Sequence, residues 1–119
     1  MFSYDEENIF AQIIEGKIPA DTVYEDDEFI CFRDIAPQAP IHLLIIPKNH
    51  KVPSIAAIDN QDAHWLGQMM LTASAIAKEQ GLNETGYRLV FNCGSGGGQT
   101  VFHLHLHIIG GTQLSGSMV

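Results

Sequence analysis

The segment Phe102-His103-Leu104-His105-Leu106-His107-Ile108-Ile109 constrains this chain more than any other. Side chains on a strand alternate between its two faces. A strand over 102–109 therefore sets His103, His105 and His107 on one face and Phe102, Leu104, Leu106 and Ile108 on the other. The apolar set is expected to enter the core. A lone histidine in a strand is usually a satisfied structural residue. Three in strict alternation mark a cluster of ionisable groups, and such clusters gather at functional sites.

Two chemistries suit that face. Histidines two apart on a strand can ligate zinc, and His42 could add a ligand. No cysteine or carboxylate lies close enough in sequence to complete an obvious set. The alternative is nucleophilic catalysis. Neutral imidazole attacks phosphorus well, and a reference pKa near ~6.5 leaves it largely unprotonated at neutral pH. One ring nitrogen must be exposed and the other N–H held by an acceptor. The glycine-rich stretch Cys93-Gly94-Ser95-Gly96-Gly97-Gly98-Gln99-Thr100 leads into the histidine strand. Its backbone N–H groups can crowd around an anion, with Asn92, Gln99 and Thr100 as neutral donors beside them. It is not a P-loop, because no Lys-Ser or Lys-Thr pair follows the glycines.

The rest of the chain reads as alternating short elements. Ile9, Phe10, Ile13 and Ile14 have helical spacing over 8–15, and Gly16 stops that helix. Segments 22–24 and 29–33 read as a hairpin around the acidic run 25–28. Pro37 and Pro40 keep 36–40 a loop. A strongly apolar strand follows over 42–46. Asp59 is expected to cap a long helix over 60–80, with Gly81 beyond its end. Leu66, Met70 and Ala77, flanked by Ala63 and Ala73, mark one apolar face of that helix. Trp65, Met69 and Ile76 mark a second. So much apolar girth calls for two covering surfaces, supplied by a sheet and either a second protomer or the chain's own termini. Strands over 87–92 and 102–109 close the chain. Without βαβ alternation, an antiparallel α+β sheet is expected.

The 119 residues fit one domain spanning 1–119. The formal net charge of −8 argues against a nucleic-acid polymer as partner. A single small nucleotide remains compatible, since local donors can hold one phosphate. The polar, acidic residues 1–8 lack a signal-peptide pattern, and no apolar run is long enough to span a membrane. A cytoplasmic location is expected, with Cys31 and Cys93 as free thiols.

His103-Leu104-His105-Leu106-His107-Ile108-Ile109 resembles the signature of the histidine-triad (HIT) superfamily. Further stretches are similar to its branch of histidine-triad nucleotide-binding proteins. These are Ile9-Phe10, Ile18-Pro19-Ala20, Asp34-Ile35, Pro37-Gln38-Ala39-Pro40, Leu44-Ile45-Ile46-Pro47-Lys48, Gly86-Tyr87-Arg88 and Gly97-Gly98-Gln99-Thr100-Val101. The resemblance covers nearly the whole chain. It implies an α+β fold with a five-stranded antiparallel sheet, one long and one short helix, and a sheet continued across a homodimer. It also implies hydrolysis of purine nucleoside 5′-monophosphoramidates, AMP-like or GMP-like, with no cofactor and no metal.

By position, the resemblance makes His105 the nucleophile that becomes a nucleotidyl-histidine. The backbone carbonyl of His103 would fix the His105 tautomer. His107 would bind phosphate, and His42 would support the network from a neighbouring strand. Asn92, Gly98, Gln99 and Thr100 match the phosphate loop. Asp34 matches the carboxylate that binds the ribose hydroxyls, a chemically apt pairing of acceptor with donors. Ile9, Phe10, Ile13, Ile18, Phe32 and Ile35 match the apolar walls around the base. Thr100 stands where many relatives carry serine, Arg33 where some carry histidine, and the tail 112–119 lacks a tryptophan found in some. His50, His64, Lys48 and Lys51 read as structural or solvated. The competing functions are a dinucleoside polyphosphate hydrolase of the same superfamily, a non-catalytic nucleotide sensor or adaptor, and a zinc-binding protein.

Overall fold

The computed structural model describes residues 3–116, so the last three residues of the tail 112–119 lie outside the described residues. The chain runs α1 (Ile9–Ile14), β1 (Thr22–Glu25), β2 (Phe29–Arg33), β3 (Ile41–Pro47), α2 (Ala63–Glu79), β4 (Tyr87–Val90) and β5 (Leu106–Gly110). The strands form one antiparallel five-stranded sheet in the order β1-β2-β3-β5-β4. The expected α+β architecture, with one long and one short helix, is what the chain adopts. Among the described residues no helix is long and apolar enough to cross a membrane.

Local chemistry sets the element ends. Asn8 caps α1 by accepting the Ala11 N–H at 2.9 Å. Asp26 Oδ1 accepts the N–H groups of Glu28 and Phe29 at 2.8 and 2.7 Å, which turns the β1–β2 hairpin. Asp59 caps a 3-10 turn, Asn60–Asp62, rather than α2 itself. Its Oδ1 accepts the Gln61 N–H, and Asp62 Oδ2 accepts the Asp59 N–H, both at 2.9 Å. Gly81 supplies the positive φ, +78°, expected beyond the helix end.

Each face of the sheet carries its own apolar cluster. On one face, Trp65, Met69, Ala73, Ile76 and Ala77 of α2 pack against Phe29, Cys31, Leu43, Ile45, Leu104, Leu106 and Ile108. On the other, Phe10 of α1 packs with Ile30, Phe32, Leu44 and Ile46. The two helix faces regroup accordingly. Ala73 and Ala77 join the Trp65 side in the core, whereas Met70 and Leu71 are 38% and 65% exposed. Phe102 is only half-buried and does not enter the core as expected. Trp65 donates its indole N–H to Asp62 Oδ1 at 2.7 Å and stacks on His50, with ring centroids 4.4 Å apart. Cys31 and Cys93 are free, and burial pushes the Cys31 thiol up to about 12.

Two strands are shorter than their apolar runs. β4 stops at Val90, leaving Asn92 outside it. β5 begins at Leu106 rather than Phe102, and Pro47 explains why. The register pairs Ile45 with Leu106, so Pro47 falls opposite Leu104. Proline has no N–H with which to continue the ladder. The Leu104 N–H turns instead to the Val52 carbonyl at 2.8 Å.

Gly110 lies where β5 passes the end of β4. A Cβ there would stand 2.9 Å from Leu82 Cδ2 and 3.2 Å from Tyr87 Cβ. Gly110→Ala is expected to lose roughly 1–3 kcal/mol, the usual cost of overpacking. Urea unfolding followed by Trp65 emission measures it; an unchanged midpoint would show that this corner yields without strain.

Candidate active site

The face opposite α2 gathers His42, His103, His105 and His107. β3 and β5 pair so that Leu44 lies against His107 and His42 against Ile109. His42 and His107 therefore project from the same side of adjacent strands. His105 and His103 precede β5 in an extended segment and keep the alternation. Leu104 and Leu106 point into the α2 core, whereas the rings of His103 and His105 stand 6.4 and 4.9 Å from Phe10.

Hydrogen-bond partners fix the proton on each ring. The Gln38 backbone N–H donates to His42 Nδ1 at 3.0 Å. An amide N–H cannot accept, so His42 carries its own proton on Nε2. That Nε2–H lies 2.9 Å from His107 Nδ1 and 3.4 Å from Asp34 Oδ2. His107 Nδ1 therefore accepts, and a neutral His107 keeps its proton on Nε2. His105 Nδ1 sits 2.7 Å from the His103 carbonyl, which can only accept. His105 Nδ1 must therefore donate, leaving Nε2 as a lone pair. His103 Nε2 sits 3.0 Å from the Pro47 carbonyl and donates there by the same logic.

Burial keeps these rings neutral. It pushes His103 and His107 down to about 4 and lowers His42 and His105 from 6.5. The Pro47 carbonyl opposes the shift at His103. At His107 the neighbouring His105 and His42 reinforce it, and the Asp34 carboxylate opposes it. At neutral pH the site thus presents one imidazole lone pair, on His105, beside one imidazole N–H, on His107. That pairing suits attack on a tetrahedral, anionic phosphorus centre.

Asp34, His42 and His107 place ligand-type atoms within 4.8 Å of one another, which is the one feature that suits a metal among the described residues. The Gln38 contact makes His42 Nε2 a donor rather than a lone pair. A cation there would first have to displace that proton and the contact behind it. The donor set fits a hydrogen-bond array better than a metal.

The remaining expected site residues are distributed unevenly. Phe10 and Phe32 are buried and meet edge to face at 5.5 Å. Ile13 packs against their cluster and Ile18 is half-buried, while Ile9 is 42% and Ile35 97% exposed. Phe10 and Phe32 thus serve the core as well as any ligand, and Ile35 is no wall within one chain. Asp34 Oδ1 accepts the Ala36 N–H at 2.8 Å, which shapes the proline loop.

The glycine loop is built differently from the expected cradle. The N–H groups of Gly97, Gly98 and Gln99 turn inward to the Gly94 and Ser95 carbonyls. Gly98 holds φ at +87°. The Gln99 side chain is buried and locks the loop. Its Nε2 donates to the Pro53 and Val101 carbonyls at 2.7 and 3.0 Å, and its Oε1 accepts the Gly94 N–H at 2.8 Å. Asn92 gives one Nδ2 hydrogen to the Gly97 carbonyl at 2.8 Å, and Thr100 is exposed. The second Asn92 hydrogen and the Thr100 hydroxyl are side-chain donors that can serve an anion. Lys48 and Lys51 are not simply solvated. They pair with Glu25 and Glu6, each at 2.7 Å.

The family model for "Scavenger mRNA decapping enzyme C-term binding" matches residues 7–118. The chain is 47% identical over 109 residues to the purine nucleoside phosphoramidase of Escherichia coli strain K12, covering 92% of this chain and 91% of that protein. A HIT family hydrolase from Legionella pneumophila superposes with a TM-score of 0.89 at 48% identity, covering 92% of this chain and 97% of that one. A histidine triad protein from Clostridium difficile gives 0.89 at 40% identity, covering 97% and 99%.

The depressed imidazole pKa values carry a stability consequence. His103 and His107 stay neutral when folded down to about 4, but take up protons near 6.5 when unfolded. Their contribution is full above about pH 6.5 and is lost as pH falls towards 4. The urea midpoint should fall progressively between pH 7 and 4.5, before the lowered carboxyls of Asp26 and Asp62 begin to protonate. A flat midpoint over that range would mean that the rings are protonated in the folded state.

Proposed function

The chain belongs to the histidine-triad (HIT) family, and from that premise we propose that it hydrolyses purine nucleoside 5′-monophosphoramidates through a covalent nucleotidyl-histidine at His105. The observation that carries this reading is the tautomer array. His105 Nδ1–H is held by the His103 carbonyl, so Nε2 is the nucleophilic lone pair. Histidine-triad relatives of this size include a protein named purine nucleoside phosphoramidase.

The ribose hydroxyls donate to Asp34, and the base rests on the apolar shelf of Phe10, Phe32, Ile9, Ile13 and Ile18. The phosphate lies between His105 Nε2 and the donors of His107, Asn92 and Thr100. Gly98 and Gln99 act through the loop conformation that presents Thr100. His105 Nε2 forms a bond to the α-phosphorus as the bond to the amine breaks. The amine leaves with the electron pair of that bond and takes a proton from solvent water. His107 Nε2–H stabilises the charge on the non-bridging oxygens. Water then attacks the phosphorus and releases its proton to solvent, His105 regains its lone pair, and the nucleoside monophosphate departs. His42 and its Gln38 partner keep the His107 proton on the ligand side. No step calls for a metal or another cofactor.

We read the exposed Met70 and Leu71 of α2 as the surface where a second copy docks. Sedimentation velocity at micromolar concentration should give the mass of a dimer; a monomer would remove this reading. The expected setting is the cytoplasm, with the 119 residues acting as one domain.

The direct test is an adenosine 5′-monophosphoramidate carrying a fluorogenic amine, with a chelator present. Steady release of amine and AMP is expected, and His105→Asn should lower it by at least about a thousandfold. Binding of AMP without turnover would point to a sensor. Activity that requires restored zinc would point to a metal enzyme.

A further inference from the structure

Tyr4 lies ahead of residues 7–118, the span that the family model matches. It nevertheless reaches the histidine array. Its hydroxyl sits 2.7 Å from His103 Nδ1, ninety-nine residues away in sequence, and the two rings are 5.5 Å apart. The segment that carries it is held by local bonds. Asp5 Oδ1 accepts the Glu7 N–H, the Asp5 carbonyl accepts both the backbone and side-chain N–H of Asn8, and Glu6 pairs with Lys51. Gln12 ties the Glu7 carbonyl to α1 at 2.6 Å. Tyr4 is thus placed by a folded turn anchored at both α1 and Lys51.

The direction of its bond follows from His103. Nε2 donates to the Pro47 carbonyl, so the neutral ring can only accept at Nδ1. The Tyr4 hydroxyl is the donor, and burial raises its pKa above the usual tyrosine value, which keeps that proton in place. His103 is 1% exposed, so few other donors can reach Nδ1. The ring is therefore gripped at both nitrogens. The backbone carbonyl of this same residue accepts the His105 Nδ1–H. Tyr4 and the Pro47 carbonyl bear on the His103 side chain, and His103 in turn sets the acceptor that orients the nucleophile. No side chain that touches the phosphate is involved.

We infer that Tyr4 is a positioning residue for the reaction, gripping the His103 ring against the Pro47 carbonyl so that the His103 backbone carbonyl stays aimed at His105. This rests on the phosphoramidase reading above only for its kinetic consequence. The hydrogen bond itself can be observed without turnover.

The test is Tyr4→Phe, which keeps the ring and removes the hydroxyl alone. With the adenosine phosphoramidate substrate, kcat should fall roughly three- to tenfold, the scale of one hydrogen bond, while KM stays within about twofold. A packing residue would not produce that split, since Phe fills the same space. In parallel, long-range 1H–15N spectra at pH 7 should show His103 in the wild type with a bare Nδ1 and a protonated Nε2. In Tyr4→Phe the Nδ1 resonance should move towards the free, unbonded position. An unchanged His103 pattern with unchanged kcat overturns the proposal. A changed pattern in a protein whose wild type releases no amine would leave the bond established, retire the phosphoramidase reading, and overturn the kinetic role. A pattern that changes while kcat holds also overturns the positioning role. Thermal melts of both proteins identify a variant that fails to fold; in that case Tyr4→Trp, which restores a ring N–H donor, should recover the His103 pattern if the donor is what matters.

Discussion

The antiparallel register between β3 and β5 is the constraint on which the rest of this molecule depends. It sets Leu43 beside Ile108 and Ile45 beside Leu106 on the α2 side, and Leu44 beside His107 on the other. A slip of one residue would exchange the faces, burying imidazoles under α2 and exposing leucines to solvent. The hydrophobic core and the histidine array are therefore consequences of the same pairing. Pro47 ends that pairing and frees the segment before β5, where His103 and His105 make contacts that a ladder would not allow.

The second organising feature is direction. His42, His103 and His105 are each oriented by a neighbour whose role cannot invert, and His42 passes that direction on to His107. Gln38 N–H can only donate, and the carbonyls of His103 and Pro47 can only accept. Burial then removes the ambiguity that a protonated ring would introduce. One lone pair and one N–H are left facing the same space, and both are needed at a phosphorus centre.

Much of this was legible in the alternation of residues 103–109, because a two-residue period has only one structural meaning. The hairpin turn at Asp26 and the helix stop at Gly81 were legible for similar local reasons. What escaped depended on contacts distant in sequence. Nothing around Tyr4 points to His103, and nothing around His50 points to Trp65. The inward turn of the Gly97 and Gly98 amides was hidden because glycine permits both an anion cradle and a closed turn. Which one forms is decided by Gln99, whose carboxamide reaches Pro53 and Val101 and pulls the loop shut. The two faces of α2 were mixed for a comparable reason. Alanines at 73 and 77 carry little signal of their own and join whichever side the sheet presents.

The partners that orient His42 and His105 are main-chain groups. The amide at position 38 and the carbonyl at position 103 would be present whatever side chains those positions carried. Substitution at Gln38 can therefore drift without disturbing the proton on His42, provided the proline-bounded loop keeps its path. Such a site is robust to mutation in an uneven way. It tolerates changes of residue identity where the backbone does the orienting, and it is sensitive to insertions or deletions that shift the loop by even one position.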